Sequence, residues 1–166
     1  ASLSSPNTSC AYRRPRLTHR QKAMTNTLEI DLGRESYSIH CTGEWDGLSG
    51  AVGPLVKDRR VAIISDAHVW PLYGEDVRSC LAAAGADVTR IVLPPGESHK
   101  RMYTLETLLE HCIEEGLDRT GVLVALGGGV VGDMTGFASS IFMRGIPYIQ
   151  IPTTLLAQVD SSVGGK

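Results

Sequence analysis

Several things are scarce in this sequence. Aromatic residues make up 5% of its 166 positions, too few to build a stacking platform for bases, and no basic stripe tracks a nucleic-acid backbone. The formal net charge is -2. No apolar run approaches the roughly 18–20 residues of a bilayer crossing, because the stretch after Gly121 is interrupted by glycines and by Asp133. Cys10, Cys41, Cys80 and Cys112 show no Cys-x-x-Cys spacing, so reduced thiols in a cytosol-like compartment are expected rather than a disulfide framework. The five histidines are as dispersed as the cysteines, and no ligand cluster for a metal follows from the sequence. There is no Gly-x-Ser-x-Gly elbow for a nucleophilic serine. Gly165-Lys166 does not complete a P-loop, since Asp160 stands where that motif needs its first glycine.

The apolar fraction of 42% is that of an ordinary globular domain with a core of its own. Residues 1–23 differ from the rest: Arg13, Arg14, Arg16, Arg20 and Lys22 occur with serines and threonines and without a single acid. Two readings stand for this stretch, an organelle transit segment of a plastid protein or a leader preceding a start at Met24 in a cytoplasmic one. Either way the folded domain is expected over residues 24–166.

From Thr27 the pattern becomes globular. Leu28–Leu32 and Tyr37–His40 alternate apolar and polar residues around Gly33-Arg34-Glu35, which predicts a hairpin with one wet face. Arg60–Asp66 is a short apolar run of the buried parallel kind. A helix is expected from about Glu75, with Val77, Cys80, Leu81 and Ala84 on one face and Gly85 at its end. Val88–Leu93 reads as a strand broken by Pro94-Pro95-Gly96, and Met102 to Ile113 as an amphipathic helix closed by Gly116. Val122–Leu126 and Tyr148–Ile151 read as strands, Asp133–Met143 as a helix, and Thr153-Thr154 as the cap of a last one. Alternating strands and helices imply an α/β fold, a Rossmann-like parallel sheet with helices on both faces. Its ligands collect at the carboxyl ends of the strands. Asp66, Pro94–Lys100, Gly127–Asp133 and Thr153-Thr154 all fall there.

Gly127-Gly128-Gly129-Val130-Val131-Gly132-Asp133 follows a strand and opens a helix. Glycines let backbone N–H groups approach an anion, and a helix N-terminus favours negative charge, so the segment suits a phosphate-bearing ligand. It satisfies Gly-x-Gly-x-x-Gly but is not at the first strand–helix turn and lacks an acid about twenty residues on. A nucleotide pyrophosphate site and a turn needed only for packing both remain open. Glu97 and Lys100 are spaced to flank a ribose or phosphate, or simply to begin a solvated helix.

Pro95-Gly96-Glu97-Ser98-His99-Lys100, Gly127 to Asp133, Phe142-Met143-Arg144-Gly145 and Pro152 to Lys166 together resemble the 3-dehydroquinate synthases, the second enzyme family of the shikimate route. The resemblance runs in order from about Leu28, and the Asp-Ser-Ser-Val-Gly-Gly-Lys string is its most specific part. It implies an enzyme that binds NAD, uses it to oxidise and later reduce the substrate, and eliminates phosphate from a phosphorylated sugar acid. It implies that Asp66, Glu97, Lys100, Gly128, Gly129, Val130, Gly132, Asp133, Thr153 and Thr154 contact the cofactor. Ser65 stands where the family usually has threonine. Arg144, Asp160 and Lys166 match substrate-contacting positions, the two cations suiting a phosphate and a carboxylate. The family's zinc or cobalt belongs to a helical C-terminal domain that this sequence does not contain, and full-length members are expected to form homodimers. A chain of this extent is therefore expected to hold the cofactor and not to turn over alone. Two other readings stay open: a non-catalytic NAD-binding fragment, and another sugar-phosphate cyclase.

Overall fold

The computed structural model describes residues 26–33, 36–42 and 45–163. The expectations for residues 1–23, for Met24 and for Lys166 fall outside them. In chain order the regular elements are β1 (Asn26–Ile30), β2 (Tyr37–Cys41), α1 (Leu48–Val56), β3 (Arg60–Asp66), α2 (Glu75–Ala83), β4 (Asp87–Leu93), α3 (Met102–Glu114), β5 (Val122–Gly127), α4 (Gly129–Ile141) and β6 (Tyr148–Pro152). Strands β4-β3-β5-β6 form one parallel sheet, and β1 and β2 pair separately as an antiparallel hairpin.

The expected α/β architecture is the one observed, and the strand sequences show why. Along β3, Val61 and Ile63 point to one layer and Ala62 and Ile64 to the other. Along β5, Val122, Val124 and Leu126 alternate in the same way with Leu123 and Ala125. Both strands are buried on both faces, so their sequences are apolar throughout rather than alternating. One layer is α1 and α2, bringing Val52, Val56, Val77 and Leu81 onto the sheet. The other is α3 and α4, bringing Leu105, Leu108, Cys112, Val131, Met134 and Ala138. The chain moves from β3 outward to β4, then returns across β3 to β5. Crossovers in opposite directions with one hand must use opposite faces, as α2 and α3 do. The reversal leaves a crevice between the carboxyl ends of β3 and β5, the place where such sheets bind ligands.

Four details depart from the sequence reading. α1 was not anticipated, because Gly50, Gly53 and Pro54 give its nine residues poor intrinsic helix propensity; burial of Val52 and Val56 outweighs it. α4 begins at Gly129, one turn before the expected Asp133, so Gly129–Gly132 are already helical. It ends at Ile141, because Met143 (φ 49°), Arg144 (φ 70°) and Gly145 (φ 104°) take left-handed conformations. The hairpin forms as expected, but Leu28 is 58% exposed, so neither of its faces is buried among the described residues. Elsewhere Gly85 (φ 91°) and Gly116 (φ 69°) end their helices as read. No described helix is long and apolar enough to cross a membrane.

Candidate functional site

The site forms around the turn between β5 and α4. Gly127 is packed so closely beneath Val131 that a Cβ there would lie 2.7 Å from that side chain. A Cβ at Gly128 would meet the Thr154 methyl at 3.2 Å, and one at Gly129 the Ser161 hydroxyl at 3.2 Å. The backbone is thus bare on its open side and hemmed by β6 and the following turn on the other. Gly128 is extended (φ -80°, ψ -169°) and offers α4 no side-chain cap. The first intrahelical bond is Gly132 N–H to Gly128 C=O at 3.0 Å. The N–H groups of Gly129, Val130 and Val131 therefore face outward from the helix end, where the dipole favours an anion.

On the β3 side, Asp66 follows Ser65, whose buried hydroxyl donates to the Leu126 carbonyl at 2.8 Å and ties β3 to β5 at the crevice. Asp66 Oδ1 accepts the backbone N–H of His68 (2.8 Å) and Val69 (2.9 Å), which fixes its carboxylate at the strand end. A shallow, solvent-open cleft lies between this carboxylate, the loop after β4 and α4, lined in part by Leu93, Pro95, His99, Val131 and Met134. Lys100 crosses from that loop to α4: its ammonium donates to Asp133 Oδ2 at 2.8 Å and lies 3.8 Å from Glu97 Oε1. The hydrogen bond to Asp133 raises the Lys100 pKa above its usual 10.5; partial burial opposes the shift, and the charges of Asp133 and Glu97 add to it.

On the β6 side, the Thr153 N–H donates to the Gly127 carbonyl at 2.9 Å, holding the start of this segment against the glycine turn. The Thr153 hydroxyl is buried and has no hydrogen-bond partner. Thr154 Oγ1 accepts the Ala157 N–H at 3.2 Å and caps the next helical turn, as expected of Thr153-Thr154. That turn has π geometry over Ala157–Ser161, which brings Ser161 onto Gly129. Gln150 Oε1 would lie 3.0 Å from a Cβ at Gly132.

The fold thus gathers Asp66, Glu97, Lys100, the α4 start with Gly128, Gly129, Val130, Gly132 and Asp133, and Thr153-Thr154 along one edge of the sheet. Asp160 lies on the same edge, exposed, in the π turn. Arg144 does not join them. It follows the far end of α4, a helix of 13 residues and so about 20 Å long, and lies by the start of β6, at the amino ends of the strands. Arg144 and Asp160, both expected to contact the substrate, thus lie at opposite ends of the strands within this chain. Among the described residues, no three His, Cys, Asp or Glu side chains come together as metal ligands. His99, Thr104, Val131, Met134 and Ser161 were not named as site residues from the sequence. Their placement depends on which loops meet at the strand ends, and only the fold shows that.

Residues 90–166 match the family described as 3-dehydroquinate synthase N-terminal. Over that stretch the chain is similar to the N-terminal part of the 3-dehydroquinate synthases. Two solved structures of 2-deoxy-scyllo-inosose synthase superpose with TM-scores of 0.72 and 0.73 at 25% and 28% identity; the first is complexed with carbaglucose-6-phosphate, NAD+ and Co2+. Each match covers 82% of this chain and 38% of the other. A 2-epi-5-epi-valiolone synthase from Streptomyces hygroscopicus subsp. jinggangensis 5008, with NAD+ and Zn2+ bound, matches at 35% identity and a TM-score of 0.59, over 65% of this chain and 30% of that one. The chain spans 38% of the length of the 2-deoxy-scyllo-inosose synthases. These relatives are sugar-phosphate cyclases of one superfamily, and the matched fold is its N-terminal part.

Proposed function

We propose that residues 24–166 form the NAD-binding domain of a 3-dehydroquinate synthase. Its substrate would be 3-deoxy-D-arabino-heptulosonate 7-phosphate, and its products 3-dehydroquinate and phosphate. The observation that carries this reading is a coincidence of sequence and space. The segment matching the family contains Glu97–Lys100, Gly127–Asp133 and Thr153-Thr154, and these are the segments the fold brings together at the strand ends.

The residues fit a dinucleotide. The glycine turn is a cradle that side chains would fill, with three outward N–H donors for a pyrophosphate. Lys100 adds a cation bonded to Asp133 of α4. The Asp66 carboxylate, fixed by two backbone donors, suits ribose hydroxyls. The unpartnered Thr153 hydroxyl gains a partner when a polar ligand fills the turn. Bound NAD would accept a hydride from a substrate alcohol and later return it. This chain's part is to hold the cofactor by both ends so that it stays between those steps. Among the described residues no three His, Cys, Asp or Glu side chains are placed to hold a metal.

A second reading, another sugar-phosphate cyclase, has the 35% identity with the valiolone synthase in its favour. Calorimetry tests both. One saturable site for NAD is expected on the chain, and its absence overturns the proposal. The NAD-loaded chain should then bind the heptulosonate phosphate in preference to carbaglucose-6-phosphate, whereas the reverse order favours the second reading. With one wall of a cleft and no metal ligands among the described residues, a phosphate-release assay on this chain should show no turnover. Turnover at the level of an intact synthase contradicts that expectation.

A further inference from the structure

The short helical segment of residues 155–161, which follows β6, is amphipathic in the inverted sense. Its inner side is built of small residues. Ala157 is buried, the Ser161 hydroxyl lies 3.2 Å from a Cβ at Gly129, and Ser162 Oγ donates to the Ala157 carbonyl at 2.6 Å. The Thr154 cap on the Ala157 N–H, and Gln158 Nε2 donating to the Pro152 carbonyl at 3.3 Å, pin the segment to the end of β6 in that orientation. The large apolar residues are left on the outer side. Leu155, Leu156 and Val159 are 75%, 68% and 66% exposed, and Val163, one turn on, is 39% exposed. At helical spacing the four fall on one arc, with Asp160 at its border. A surface helix normally turns such a stripe towards the core. Turned outward, it presents on the order of 400 Å² of contiguous apolar surface, as much as the largest patch on a typical monomer.

We propose that two copies of this chain meet through this face. The arc carries no charge that would select a partner of opposite sign, so a second apolar arc of the same shape fits it. A two-fold axis through the face sets Leu155, Leu156 and Val159 of one copy on the same residues of the other, an isologous contact that closes at the dimer. The area agrees. A standard interface removes about 800 Å² from each partner, with an apolar core inside a polar rim. These four side chains supply about half of that as core, and Asp160 and Gln158 stand where the rim begins. A contact of this size suits a reversible dimer of micromolar affinity rather than a permanent one. None of the four side chains is among those assigned to NAD, so the proposal stands apart from the cofactor reading.

The test is sedimentation velocity on the chain across the micromolar range. The mass should rise with concentration from 17.8 kDa toward twice that value and no further. The double variant Leu155→Gln, Leu156→Gln should weaken the dimer about 100-fold or more, because two leucines are withdrawn from each side. Ile113→Ser is the control: it removes a comparably exposed side chain (60%) from the last turn of α3 and should leave the association as it was. All three side chains point into solvent, so melting temperatures of the dilute variants should stay within a few degrees of the parent. A chain that remains monomeric throughout overturns the proposal and leaves the face to another occupant, such as the remainder of a longer synthase. Assembly that runs past the dimer overturns it too, as does association that survives the double leucine change or falls equally with Ile113→Ser.

Discussion

Thr153→Val separates binding from stability at one atom. The Thr153 hydroxyl is buried without a partner, although its own N–H is bonded to the Gly127 carbonyl. Such a hydroxyl loses water on folding and gets nothing back, a cost of about 1–3 kcal/mol. Valine keeps the branched shape and removes the oxygen, so the unliganded chain should gain about 1 kcal/mol. For a protein of this size that raises Tm by about 2–4 °C. The effect on binding runs the other way. A ligand group that bonded the hydroxyl would now face a methyl and pay that same penalty itself, weakening binding by about 5- to 150-fold. Thermal melts followed by circular dichroism, with and without saturating NAD, together with calorimetry, read both effects. A lower Tm in the absence of NAD, with affinity unchanged, would mean the hydroxyl has a structural partner and no ligand.

Gly129→Val should abolish measurable NAD binding: its Cβ would already crowd Ser161 at 3.2 Å, its γ-methyls would cover the outward N–H groups, and each lost charge-assisted bond costs about 1.5–3 kcal/mol. Equal affinity by calorimetry would move the pyrophosphate elsewhere. Gly50→Ala is the matching control, since nothing lies within 4 Å of a Cβ at that helical position; denaturant titration should show a gain of about 0.5–1 kcal/mol with NAD affinity intact. Stability should fall as pH rises through the alkaline range. Burial raises the Cys112 thiol from 9.0 to about 11, so it helps the fold fully below pH 9 and loses that contribution as pH rises through 11. The raised Lys100 pKa acts in the same direction above 10.5. Cys112→Ala should flatten the pH 9–11 part of that curve, and an unchanged slope would remove Cys112 as its cause.

Much of this fold could be read from the sequence where one constraint dominates. Arg60–Asp66 and Val122–Leu126 are buried on both faces, and continuous apolar runs bounded by turns have few alternatives. Gly85 and Gly116 end helices because left-handed conformations exclude most side chains. The reading failed where tertiary packing outweighed local preference. Gly50, Gly53 and Pro54 hid α1, and four residues of the glycine segment looked like turn but form the first turn of α4. In the site, which residues bind near which was legible only to the level of strand ends. The Lys100–Asp133 contact joins segments 33 positions apart, and no local pattern encodes it. Arg144 sits at the amino ends of the strands because α4 runs back along its full length, a consequence of topology rather than of the motif around it.

The most direct test of the site is backbone amide mapping by NMR as NAD is titrated into the chain. Gly129, Val130 and Val131 have outward N–H groups that a pyrophosphate would engage, so their amide resonances should show the largest saturable downfield shifts, with smaller ones at Asp66–Val69 and Thr153. Shifts confined to the amino ends of the strands around Arg144, or no saturable shift at the α4 start, would contradict the assignment of this turn as the cofactor site.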